Sequence, residues 1–82
     1  MPKIIVEVMP KVDLLDPPGK AVNNALHRSG HNEISAVRIG KRIELHFNRE
    51  ITDADLEEAQ KIGENFLSNA VIEDVVSVTV EN

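Results

Sequence analysis

The sequence predicts an α+β fold, with two helices on one face of a four-stranded antiparallel sheet and elements in the order β-α-β-β-α-β. Three observations predict it. Four stretches alternate apolar and polar residues at a period of two, two others carry apolar stripes at helical spacing, and capping or turn residues stand at the boundaries.

Lys3 to Met9 reads as the first strand, with Ile4, Val6 and Val8 on one face and Ile5, Glu7 and Met9 on the other. Pro10 stops or edges it. Asp16 suits a helix N-cap, and Pro17 the first helical position, where its missing N–H would have had no partner. The helix runs to about Ser29, with Ala21, Val22, Ala25 and Leu26 as its stripe, and Gly30 supplies the left-handed residue that ends it. Glu33 to Ile39 and Arg42 to Asn48 are alternating runs separated by Gly40-Lys41, which fits a type II′ hairpin. That hairpin fixes a register: Ile39 opposes Arg42, Arg38 opposes Ile43, Ala36 opposes Leu45 and Ile34 opposes Phe47.

Thr52 caps the second helix, with Asp55 at its third position as a short capping box. Its stripe is Leu56, Ala59, Gly63, Phe66 and Leu67, where Gly63 marks close packing on the sheet. Asn69 ends it. The last strand spans Val75 to Val80, with Val76, Val78 and Val80 on one face and Val75, Ser77 and Thr79 on the other. This order is the ferredoxin-like arrangement. The sheet face without helices would then display Ile5, Met9, Val37, Ile39 and Val75 among Glu7, Arg42, Glu44, His46, Ser77 and Thr79. So much apolar surface across a whole sheet implies self-association through that face.

Composition narrows the function. At 82 residues and 9.1 kDa the chain is a single domain, residues 1–82, that buries only about 60% of its unfolded surface. It has no Cys, so neither disulfides nor thiolate metal sites can support it, and a partner is the remaining route. Phe47 and Phe66 are the only aromatic residues, which removes the stacking platforms of single-strand binders. The net charge of −5 conceals a split. Residues 1–49 hold eight Lys/Arg against five Asp/Glu, and residues 50–82 hold Lys61 against nine acids. Such a balance argues against nucleic acid and suits docking on a protein surface of mixed charge. No apolar run approaches the ~20 residues of a membrane span, and Met1-Pro2-Lys3 leads into a strand, so a cytoplasmic location is expected.

No constellation reads as an active site. His27 and His31 have metal-ligand spacing, but Gly30 ends the helix between them and no Glu completes an HExxH pattern. Gly40-Lys41 is too short for a phosphate loop and reads as a turn with Lys41 and Arg42 as a basic tip. Glu73 and Asp74, without a second buried carboxylate or a pocket to shift their pKa values, read as surface or interface groups rather than an acid/base pair. No Ser lies in a GxSxG turn. Taken alone, the chain is expected to be no enzyme and to hold no cofactor or metal of its own.

Three stretches resemble the PurS family, the small subunits of multi-subunit phosphoribosylformylglycinamidine synthase. Leu15-Asp16-Pro17-Pro18-Gly19-Lys20-Ala21-Val22 is similar to the family's LDPxGxAV. Val37 to Leu45 is similar to VRxGKxxEL, preceded by Ala25-Leu26 and Asn32-Glu33, and Phe66 to Asp74 is similar to LLANxVIED. Phe66 and Ser68 replace the usual Leu and Ala, and Val75 stands where Tyr is common. The resemblance implies an accessory subunit of a glutamine-dependent C–N ligase that makes formylglycinamidine ribonucleotide. It implies a homodimer or tetramer that bridges the synthetase subunit PurL, which uses ATP and Mg, and the glutaminase subunit PurQ, and helps ammonia pass between them. On that reading the partner interface comprises Asp16, Pro17, Pro18 and Gly19, the tip Arg38, Gly40, Lys41 and Arg42, and the junction Asn69, Glu73 and Asp74. The alternative is a small-molecule-sensing domain of the ACT type, in which Leu14 to Gly19 would form the ligand loop. An RNA-binding module on this topology would need aromatics on its central strands, and an acylphosphatase-like enzyme would need an Arg in a phosphate loop.

Overall fold

Alternating Ile and Val make Lys3–Pro10 (β1) the middle strand of an antiparallel sheet in a computed structural model describing residues 1–82. Lys41–His46 (β2) and Glu73–Glu81 (β3) flank it in the order β2-β1-β3. Val6 lies between Ile43 and Val78, and Ile4 between Leu45 and Val80, so one face is apolar across all three strands. At the far corner Lys3 pairs with Glu81.

The second helix, Asp53–Ile62, lies over β1 and β3, and its Ala59 completes a core with Ile4, Val6 and Val8. The capping box is present: Thr52 Oγ1 accepts from the Asp55 N–H at 3.2 Å, and Asp55 Oδ2 accepts from the Thr52 N–H at 2.9 Å. Arg49 donates to both oxygens of Asp55, which holds that carboxyl well below its usual range. The helix then widens into a π turn over Gly63–Leu67, and Ser68 Oγ donates to the Gly63 carbonyl at 2.8 Å. A Cβ on Gly63 would lie 3.1 Å from Val75 and 3.2 Å from Val6, the close helix-to-sheet packing expected of this glycine. The π turn also corrects one position. It rotates the residues after Gly63 so that Leu67 packs inward while Phe66 stands 81% exposed.

The first helix, Pro17–Arg28, starts and ends as its sequence dictates. Asp16 Oδ1 accepts from the Gly19 N–H, and Gly30 takes φ +97° just past the end. What it packs on departs from expectation. It touches no strand and no other helix, and no helix covers β2.

Residues 33–39 form no strand, which corrects the four-stranded sheet to three. A type II′ turn needs positive φ at its first central residue, and Gly30 is the only residue with positive φ. Gly40 instead presses on the end of β1, where a Cβ would lie 2.3 Å from the Val8 carbonyl oxygen. The chain passes through Gly40 without a turn, and residues 33–39 run back along the first helix. His27 Nε2 donates to the Ile34 carbonyl at 2.6 Å, and the Val37 carbonyl lies against Gly19. Residues 11–40 thus form an arm that contributes nothing to the core, and the molecule measures 48 × 27 × 14 Å.

Candidate functional site

The sequence-predicted interface residues converge where the arm leaves the sheet. Asp16 uses both oxygens, one for the Gly19 N–H at 3.1 Å and one for the Ile39 N–H at 2.9 Å, so one carboxylate starts the helix and ties down the returning strand. Arg38 donates to the Pro10 carbonyl. Lys41 Nζ donates to the Leu67 carbonyl at 3.1 Å and to Glu73 Oε1 at 3.3 Å. Glu73 in turn accepts from the Asn69 N–H at 2.8 Å, and the Asn69 carbonyl accepts from the Glu73 N–H at 2.7 Å. That backbone N–H, reinforced by Lys41, holds Glu73 below the usual carboxylate range. Asp74 pairs with Lys11 at 2.6 Å.

Three segments far apart in sequence therefore meet around one cleft of about 280 Å³, walled by Leu14, Leu15, Pro17, Pro18, Ile39 and Ile72 with Glu73 at its edge. Its wall is largely aliphatic and prolyl, which suits contact with another protein's apolar side chain rather than acid/base chemistry. Ile72 stands in the sequence only as part of the Phe66–Asp74 motif, and Lys11 was not singled out, because a lone Lys after a proline carries no local signal.

Arg42 is not at this root. It lies on the open sheet face, where it bonds Glu44 and reaches Glu81 at 3.3 Å. Lys3 stands 3.9 Å from Glu44 and 3.6 Å from Glu81, and His46 Nε2 donates to Glu44 Oε1 at 2.8 Å. The Arg42 guanidinium, and then His46, hold Glu44 down at about 2. This lattice surrounds Ile5, which is 3% exposed, so the open face is charged rather than apolar.

The five residues expected to share that face are in three places. Ile5 and Met9 remain on it. Val37 and Ile39 belong to the arm, because residues 33–39 join no sheet. Val75 turns to the helix side, because a bulge opposite Glu7 and Val8 makes Val76 an extra residue and reverses the alternation before it.

The family model described as PurS, phosphoribosylformylglycinamidine (FGAM) synthase, matches residues 3–81. The chain belongs to the PurS family. It is 45% identical over 74 residues, covering 90% of each chain, to the phosphoribosylformylglycinamidine synthase subunit PurS of Mycobacterium leprae. Its fold superposes on the crystal structure of Bacillus subtilis PurS with a TM-score of 0.81 and 41% identity, over the whole of both chains. A chain of the PurLQS structure from Thermotoga maritima is similar at TM-score 0.76 and 25% identity, over 98% of this chain and 94% of that one. As a PurS-family member the chain is a subunit of phosphoribosylformylglycinamidine synthase, and the alternative of a small-molecule-sensing domain gives way to that role.

Proposed function

We propose that this chain is a non-catalytic, cytoplasmic linking subunit of phosphoribosylformylglycinamidine synthase in purine biosynthesis. It bridges the PurL synthetase and PurQ glutaminase subunits and supports the passage of ammonia between them, while ATP and Mg are used on the synthetase. The observation that carries this reading is the convergence of Asp16–Gly19, Arg38–Lys41 and Asn69–Asp74 on one aliphatic cleft with a charged rim. Similarity to a chain of the Thermotoga maritima PurLQS structure supports it. An apolar centre ringed by hydrogen-bonded charges is how protein interfaces are built. The two charge classes add a division: the basic residues Arg38 and Lys41 edge the root, whereas Asp53, Glu57, Glu58 and Glu64 populate the second helix and its π turn, giving two larger neighbours different surfaces.

The test is glutamine-dependent synthesis by PurL and PurQ with this subunit limiting. Arg38→Ala and Lys41→Ala should each raise the subunit concentration needed for half-maximal rate at least threefold, with the maximal rate retained and the variants' own mass in solution unchanged. Titration curves identical to wild type for both variants sink the proposed interface.

A further inference from the structure

We infer that the outer edge of β3 takes an added strand, an extended segment of one of the larger subunits that carries a Lys or Arg placed to meet Glu50. The inference rests on the subunit role proposed above. It names a second contact, at the end of the sheet opposite the cleft.

Hydrogen bonding fixes which groups of β3 are free. Successive residues of an antiparallel strand turn their N–H and C=O first to one neighbouring strand and then to the other. The Pro2 carbonyl accepts from the Phe47 N–H at 3.0 Å, so the even residues of β1 face β2. The Lys11 N–H donates to the Ile72 carbonyl at 2.9 Å, so the odd residues face β3. Glu7 pairs with Ser77, Ile5 with Thr79 and Lys3 with Glu81, which makes those three residues of β3 the ones bonded inward. Val78 and Val80 between them turn N–H and C=O to the outer edge, where the chain supplies no strand. The other end of β3 is closed: the Glu73 N–H is taken by the Asn69 carbonyl at 2.7 Å, and the bulge at Val76 interrupts the edge. Proteins blunt the edges they keep unpaired with Lys, Pro, a bulge or a covering segment. Past Val76 this edge has no such device, since Ser77 to Glu81 contain no Lys, Arg or Pro.

A groove at the end of this edge sets the chemistry of what joins it. Pro2, Glu50, Ile51, Val80 and Asn82 line a space of about 250 Å³, in which Ile51 and Val80 supply aliphatic surface and Glu50 the one charged side chain. Glu50 is exposed and forms no ion pair: its neighbour Arg49 donates only to its carbonyl and commits the guanidinium to both oxygens of Asp55. Directly opposed residues of paired strands share a face, so the residue of an added strand opposite Val80 projects over this groove. There a Lys or Arg lays its aliphatic stem along Ile51 and Val80 and brings its head to the Glu50 carboxylate. The surrounding charge agrees, because residues 50–82 hold Lys61 against nine acids. Main-chain bonds along an edge supply affinity in such pairings, and a pocket for alternate side chains supplies specificity.

Amide hydrogen exchange, read residue by residue on the isotope-labelled chain, tests this. In the chain alone Val78 and Val80 should exchange fast while Thr79, bonded inward between them, exchanges slowly. Unlabelled PurL and PurQ, at concentrations that saturate glutamine-dependent synthesis, should slow Val78 and Val80 roughly tenfold or more. Glu50→Lys should raise the subunit concentration needed for half-maximal synthesis at least threefold, with the melting temperature of wild type. Saturated synthesis with both amides still open overturns the inference and leaves the subunit role standing, as does a Glu50→Lys titration curve identical to wild type. Slow exchange of Val78 and Val80 in the chain alone also overturns it, because a second copy then fills the edge. A wild-type chain that supports no synthesis with PurL and PurQ overturns instead the role on which the inference rests.

Discussion

Asp16 does two jobs with one carboxylate, capping the first helix through Gly19 and holding Ile39 at the point where the arm returns to the sheet. Removing it frees both N–H groups. Asp16→Ala is therefore expected to cost about 1–2 kcal/mol, the range for loss of a helix cap, measured as a lower urea midpoint with unchanged slope. An unaltered midpoint would mean that the clamp contributes nothing. The cap was legible because Asp followed by Pro is a helix-start signal in any context. Its second partner was not, since Ile39 lies 23 positions away and comes within reach only when the arm runs back along the helix. Gly19 has the same history: its place in the first turn was readable, but the Val37 carbonyl that leaves no room for a Cβ was not.

Among the elements, those set by local chemistry were readable to within a residue or two. The first helix ends at its glycine, the second starts at its capping box, and β1 alternates as its sequence does. Two departures came from single extra residues. The bulge at Val76 and the π turn after Ile62 each shift the side-chain phase, turning Val75 in and Phe66 out, and neither leaves a compositional trace. The open face shows what the element order could not. Counting aliphatic positions suggested an apolar surface, but long charged side chains from three strands close over Ile5. This lattice has a pH signature. Glu44 is lowered from 4.5 to about 2 in the folded protein, so its contribution to stability is complete above about pH 4.5 and is lost as pH falls from there towards 2. The melting temperature of wild type should fall across that window more steeply than that of Glu44→Gln; parallel curves would show the lattice to be energetically silent.

At the scale of the molecule, the sequence pointed to a marginal domain that needs support, and the structure locates the deficit. Only seven residues are buried, and residues 11–40 add none to the apolar cluster beneath the second helix. Stability that depends on a second copy follows mass action, so the melting temperature should rise with concentration over a hundredfold dilution series. A value independent of concentration would show that one chain carries its own stability. The hairpin failed because alternation and register specify which strands could pair, whereas the turn between them needs a positive φ that Gly40, pressed against Val8, does not adopt. The corner where Lys3 meets Glu81 has a practical consequence. It lies at the opposite end of β1 from the root of the arm, roughly 25 Å away at the rise of a strand, so a fluorophore or affinity handle placed there would leave the cleft and its charged rim untouched.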